Sequence, residues 1–250
     1  MELKVLASSS SGNCYILKSP TGSLFLEAGI PWNKILIGLN FDLNNVVGCL
    51  VSHEHLDHSK AIKEVMRAGI DCYMSNGTAT TSGIEDIKNN YRAIIIKSQN
   101  QFTIGDFLVL PFDTEHDAKE PLGFLIQYKP TKEKLLFVTD SYYCKYKFKN
   151  LNYIMLECNY IKETLDANIE AGYISEAMKP RLLQSHFSLE NAKQFLKANN
   201  LSQCQEIILL HLSDSNSNAL RMIEEIEKLT AIKTRIAENG LEIELNMYPY

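Results

Sequence analysis

The 250 residues are 45% hydrophobic and 22% charged, with a formal net charge of −5. This supports one sizeable core and gives no overall attraction to nucleic acid, although a local basic patch stays open. No apolar run reaches the roughly 20 residues of a membrane span, and MELKVLASSS at the N-terminus lacks a signal-peptide pattern.

Cys14, Cys49, Cys72, Cys144, Cys158 and Cys204 are scattered without a CxxC pair. They read as small, mostly buried hydrophobes of a reducing compartment, so a cytoplasmic protein is expected. With no repeat, low-complexity tract or linker, residues 1–250 are expected to form a single domain.

Apolar segments 2–7, 14–18, 23–28 and 46–51 read as successive strands. Residues 58–69 read as a helix ending at Gly69, and short elements follow near 71–82. Strands recur at 91–97, 101–105, 107–112, 122–129, 134–139 and 151–157. Helices are expected at 160–170, 188–199 and 215–229, with a buried strand at 205–211 and a short one near 241–245. This order suggests an α/β (α+β) fold: two mixed sheets packed face to face, with helices outside.

The most informative stretch is His53-Glu54-His55-Leu56-Asp57-His58, which follows the apolar run ending at Val51. A loop past a strand end is where a rigid scaffold can hold functional groups. Residues two apart in extended chain point the same way, so His53 and His55 can converge on one metal ion. Asp57 and His58, where the chain turns into a helix, can face a second ion beside the first. Imidazole with carboxylate suits zinc, with manganese or iron at higher carboxylate content. The plain reading, a surface loop rich in histidine, has to place half of the chain's six histidines there by chance.

His116 follows the strand at 107–112 and is expected as the third ligand of the first ion; otherwise it is an exposed loop residue. Asp140 leaves the strand at 134–139. It is expected to bridge the two ions; otherwise it caps a helix at 141–147. His211 ends the strand at 205–211 and would complete the second site with Asp57, His58 and Asp140. Glu157 and His186 are not needed as ligands. As a pair they read as an oriented general acid, the carboxylate fixing the tautomer and the imidazole protonating a leaving oxygen. The plain reading has His186 merely packing beside a helix cap at Ser188.

HEHLDH with His116, Asp140 and His211 resembles the metallo-β-lactamase fold over essentially the whole chain, which implies an αββα sandwich. Leu156-Glu157-Cys158-Asn159, Ser185-His186-Phe187-Ser188 and Leu210-His211-Leu212-Ser213 resemble its phosphodiesterase branch. That branch includes tRNase Z, the YycJ/WalJ-type exonucleases and the phage anti-Pycsar cyclic-nucleotide phosphodiesterases. Ser8-Ser9-Ser10-Ser11-Gly12-Asn13-Cys14 and the segment His116–Phe124 look especially like the last two groups. A diiron oxidoreductase of the same fold would carry a carboxylate where His55 stands, which favours hydrolysis over redox chemistry. Glu27 stands where these families usually have Asp, in a position that supports the metal loop.

The resemblance implies two divalent ions, most simply Zn²⁺ with Mn²⁺ as the alternative, that activate water for phosphodiester hydrolysis. It also implies substrate contacts by Asn13 and His186, an attacking water oriented by Asp57, and a homodimer. The run Tyr142-Tyr143-Cys144-Lys145-Tyr146-Lys147-Phe148-Lys149 reads equally as a base-stacking, phosphate-attracting segment or as an ordinary half-exposed one. An acidic chain without visible room for a nucleic-acid-gripping arm favours a small 3′,5′-cyclic nucleotide as substrate. A YycJ-like or tRNase Z-like nuclease acting on DNA or RNA is the alternative. Glu157 with His186 argues against a thioesterase or lactamase, and the full ligand set against a non-enzymatic binding module.

Overall fold

Strand β1 (Glu2–Ser9) buries Leu3 and Val5 and turns Lys4 outward to Glu242, the period-two pattern of a half-buried strand. The computed structural model describes residues 1–84 and 91–246. These form two compact units: Met1–Asp113 with Ala118–Glu133 and the stretch from Ala237, and Thr114–Asp117 with Lys134–Ile236.

In the first unit, β2 (Gly12–Ser19) and β3 (Gly22–Leu26) continue β1 as antiparallel hairpins. Helix α1 (Trp32–Gly38) then carries the chain over to β4 (Val46–Leu50), which pairs parallel with β3 as a crossover allows. Helices α2 (Leu56–Ser59) and α3 (Ile62–Arg67) lead to β5 (Cys72–Met74), α4 (Asn76–Thr81) and β6 (Ala93–Ile95). Strands β7 (Phe102–Ile104), β8 (Phe107–Asp113) and β9 (Leu122–Tyr128) form an antiparallel meander.

The second unit holds β10 (Lys134–Val138), β11 (Tyr153–Glu157), α5 (Lys162–Glu170), a 3-10 turn and α6 (Lys179–Ser185). Helix α7 (Leu189–Ala198), β12 (Glu206–Leu210), α8 (Ala219–Thr230) and β13 (Lys233–Ile236) follow, and β14 (Glu242–Glu244) returns to pair with β1. The strands make two seven-stranded sheets, ordered β14-β1-β2-β3-β4-β5-β6 and β13-β12-β11-β10-β9-β8-β7.

Strands β10 to β13 are all parallel, and every residue of β11 and β12 is buried, in keeping with their apolar stretches Tyr153-Ile154-Met155-Leu156 and Ile207-Ile208-Leu209-Leu210. Val138 registers with Leu156, and Leu156 with Leu209, so the three strands end level. Asp140, Glu157 and His211 therefore leave one edge of this parallel array, where open α/β sheets place their sites.

Among the described residues, α1, α6, β13 and the 3-10 turn before α6 were not expected. The anticipated helix at 58–69 is two short helices, broken at Lys60 and Ala61 where the Ala61 N–H donates to Ala28 instead.

Candidate active site

The first unit holds a contiguous cluster of donors. His53 and His58 are buried just beyond β4, with ring centroids 4.2 Å apart, and the His53 and His55 centroids are 4.7 Å apart. Ser52 Oγ meets His53 Nδ1 at 2.8 Å, which fixes the ring and leaves Nε2 as the nitrogen for an ion. Asp57 Oδ2 lies 3.3 Å from His58 Nε2.

The segment after β3 forms the backing of this loop. The Ala28 N–H donates to His58 O at 2.9 Å, and the Ala61 N–H to Ala28 O at 2.8 Å. A Cβ on Gly29 would stand 1.7 Å from the Asp57 carbonyl oxygen, so only glycine admits this approach. Glu27, fully buried and at φ 68°, accepts from the Ser52 N–H at 3.2 Å and lies 3.6 Å from His58 Nδ1. Burial raises its pKa above the usual carboxylate range, against the lowering effect of His58 and Ser52. The longer Glu side chain thus still reaches the loop. Glu54 accepts from the Lys119 N–H at 2.7 Å, a structural bond that suits its place outside the ligand pattern.

Asn13, expected at the substrate, is fully buried. Its Nδ2 lies 3.0 Å from Ser9 O, 3.2 Å from Asp57 O and 3.2 Å from His58 Nε2, while its Oδ1 accepts from the Tyr15 hydroxyl at 3.2 Å. In this structure its amide braces the loop.

The second unit holds a dispersed cluster of donors, and Glu157 is its hub. Oε1 meets His186 Nδ1 at 2.6 Å and His211 Nδ1 at 3.2 Å. Oε2 accepts from the Ser141 N–H at 2.9 Å and the Phe187 N–H at 3.0 Å. Burial pushes this carboxyl up; charge and hydrogen bonds from His186, with a further bond from His211, outweigh it and hold the carboxyl below its usual range. Burial likewise pulls the His186 imidazole down, and the charge and hydrogen bond of Glu157 more than reverse this, leaving it raised. Burial dominates at His116, whose imidazole is lowered despite Asp140 and Glu157.

Asp140 lies 3.0 Å from His211 Nδ1 and 3.8 Å from His116 Nε2. His116 Nδ1 is tied to Ser185 O at 2.7 Å, which turns Nε2 toward Asp140. His211 sits at φ 54°, a left-handed conformation uncommon outside glycine, held by an Asn159 Nδ2 bond to its carbonyl at 2.8 Å.

These positions bear on the plain readings. The side chain of His116 is 1% exposed, so it is no surface residue. No helix follows Asp140: 141–150 is irregular, so a capping role falls away. Ser188 does cap α7, accepting from the Asn191 N–H at 3.1 Å, yet His186 is bonded to Glu157 all the same.

The donors fit divalent cations. Imidazoles clustered as in the first unit repel one another when protonated, and an ion draws on their neutral lone pairs. In the second unit, Asp140, Glu157, His186 and His211 each offer a ligand atom within 4.8 Å of the others. Glu157, with four nitrogens already on its two oxygens, suits an orienting role there. Sequence reasoning passed over Gly29 and Ser141 as supports of the two halves. The signal for Gly29 was a small residue two positions after an acid at a strand end; Ser141 gave none.

The profile of the Beta-lactamase superfamily domain matches residues 38–212. The chain belongs to that family. Exodeoxyribonuclease WalJ of Streptococcus pneumoniae is 25% identical over 262 residues, covering 98% of this chain and 92% of that protein. Among solved structures, the metallo-beta-lactamase fold protein YhfI from Bacillus subtilis superposes with a TM-score of 0.73 at 16% identity, covering 97% of this chain and 99% of that one. Human tRNase Z, short form, superposes at 0.66 with 13% identity, covering 98% and 100%. The fold is the metallo-β-lactamase sandwich, and this member of the superfamily is a hydrolase whose fold implies divalent-metal binding. Among the described residues no helix is long and apolar enough to cross a membrane.

Proposed function

We propose that the protein is a two-metal phosphodiesterase acting on nucleotide phosphodiesters, with the whole chain working as one catalytic domain. The observation that carries this reading is the His186–Glu157 contact of 2.6 Å: a buried carboxylate holding a half-buried imidazole with its pKa raised. An acid of this kind suits a leaving alkoxide, which needs a proton to depart. His53, His55 and His116 would hold one ion, and Asp57, His58 and His211 the other, with Asp140 bridging. Zn²⁺ is the first choice on donor chemistry and Mn²⁺ the second. When bound, the ions would supply Lewis acidity and lower the pKa of the attacking water. Asp57 orients that water, Glu157 fixes the His186 tautomer, and His186 Nε2 gives its proton to the departing oxygen. Asn13 serves substrate binding through the loop it braces.

The proposed substrate is a DNA end. The relative named as an exodeoxyribonuclease matches this chain over nearly the full length of both, so lack of room for an added arm no longer argues against a polymer. A small 3′,5′-cyclic nucleotide is the second reading, favoured by the net charge of −5, which repels a long polyanion. The test is a panel of single-stranded DNA, RNA, cyclic nucleotides and bis(p-nitrophenyl) phosphate, with Zn²⁺ or Mn²⁺ and with chelator. Metal-dependent release of mononucleotides from DNA is expected, whereas release only from cyclic nucleotides selects the second reading. Silence on every phosphodiester with metal bound rejects both.

A homodimer is also proposed, on the exposure of Phe41 in the first unit and of Tyr173 and Leu220 in the second. Light scattering that gives 28.4 kDa at working concentration rejects it.

A further inference from the structure

A cavity of about 370 Å³ lies within the second unit, between the irregular loop 141–148 and α7. That volume is at the low end for small-molecule sites, with room for one nucleoside-sized group. The loop forming its wall is fastened on both sides. Tyr142 O accepts from Asn191 Nδ2 at 3.1 Å, and the Phe148 N–H donates to Asn199 Oδ1 at 2.7 Å. Its backbone is therefore held before any ligand arrives, which lowers the cost of binding.

The lining changes character with depth. Phe187, Phe195 and Cys144 are buried and make an apolar floor. Burial pushes the Cys144 thiol up to about 11, so it stays protonated and serves as packing surface. Toward solvent stand Tyr143, 56% exposed, and Tyr146, with the Lys145 ammonium 5.3 Å from its ring centroid. Lys147 and Gln194 complete the exposed side, and among the described residues no carboxylate lines the cavity. Flat rings, ammonium groups and one exposed amide, which both donates and accepts, form the donor set for an anionic ligand with a heteroaromatic ring.

The cavity also joins the chemistry. Phe187 directly follows His186, and its N–H is bonded to the carboxylate that orients His186. We propose that this cavity is a nucleoside subsite: it takes the base of the nucleotide adjoining the phosphodiester that His186 serves. The base stacks on the Tyr146 ring, Gln194 meets its edge, and Lys145 and Lys147 face phosphate. The subsite rests on the phosphodiesterase reading for the identity of its ligand.

The test titrates the full-length, metal-loaded protein with deoxynucleoside 5′-monophosphates and with deoxyribose 5-phosphate, which lacks the base. A stacked base is worth roughly 5- to 150-fold in affinity, so the nucleotides are expected to bind about tenfold or more tightly. Tyr146→Ala and the exposed-site variant Gln194→Ala are each expected to lower nucleotide affinity while leaving sugar-phosphate affinity unchanged. Irradiation with 5-iodo-deoxyuridine monophosphate is expected to label Tyr143 or Tyr146. Equal affinity with and without a base, variants that weaken both ligands alike, or labelling confined to residues outside 142–147 overturns the subsite. If phosphodiesters are hydrolysed and the base makes no difference, the subsite alone fails. If no phosphodiester is hydrolysed but base-dependent binding and labelling persist, the subsite stands and the phosphodiesterase reading falls.

Discussion

The two units reach similar donor chemistry by opposite routes. In the first, three imidazoles and a carboxylate come from six consecutive residues, His53 to His58. In the second, His116, Asp140, Glu157, His186 and His211 are drawn from separate loops and strand ends spread over nearly 100 residues. The contiguous half is shaped by one loop and its backing at Glu27, Ala28 and Gly29. The dispersed half is shaped by the level ends of parallel strands and by one buried carboxylate that touches four nitrogens. Damage to the first should be local and steric, while damage to the second should spread from Glu157.

The largest expected effect is at the dispersed half. His186→Ala should lower turnover by roughly 10²–10⁴-fold with metal content near wild type. The loss should shrink on a p-nitrophenyl ester, whose oxygen departs without a proton. Because the His186 pKa is raised, its acid form persists to higher pH than a free imidazole's. Activity should fall as pH rises through that value, and the variant should lose this alkaline limb. Glu157→Gln should fall at least as far, because this carboxylate also holds His211 and two backbone N–H groups. Equal impairment on good and poor leaving groups, or loss of an ion from His186→Ala, defeats the acid assignment.

Next comes the contiguous half. Gly29→Ala would force the Asp57 carbonyl away from a Cβ at 1.7 Å. A cost of about 1–3 kcal/mol is expected, and calorimetry should show Tm lower by roughly 2–12 °C. Metal content should drop while the His186 titration measured by NMR stays in place. A wild-type Tm and metal content would show that the loop is not braced by this approach.

The smallest effect is a control on the second unit's surface. Glu225 bonds Lys193 at 2.6 Å and Arg221 at 2.9 Å, which lowers its pKa against a small opposing effect of burial. A lowered carboxylate stabilises the fold above its unfolded pKa, and that contribution disappears as pH falls through the folded value. Glu225→Gln should therefore cost under about 1 kcal/mol at neutral pH, and the difference from wild type should vanish in acid. A larger loss, or loss of activity, would mean that this surface network supports the dispersed half.

The candidate donors stood out in the chain more clearly than some of the elements around them. HEHLDH announces itself because imidazoles two and five positions apart on one loop have few other uses. Asp140, Glu157 and His211 could be picked out because each ends an apolar run, the mark of a strand leaving a sheet. Helices α1 and α6 were not legible: α1 has an apolar face only two turns long, and α6 begins with Lys179-Pro180 and carries few buried residues. Strand β13, Lys233–Ile236, alternates Lys and Arg with Thr and Ile over four residues, too short a pattern to stand out.

The sequence by itself determined which residues stood out as candidate donors and the succession of buried strands; the hydrolytic class came with the family resemblance that the motifs carry. The candidate donors and the strands follow from residue type, spacing and hydrophobic period, which are local properties. Only the tertiary structure decided how the donors are held. It places Glu157 among His186, His211, Ser141 and Phe187, packs Gly29 against Asp57, turns Asn13 inward, and folds 141–148 over a cavity where a helix was an open alternative. Each is a contact between residues at least 16 positions apart, or a loop conformation imposed by such contacts. Sequence periodicity reports only which face of an element is buried; which partner waits there is set by how the elements pack.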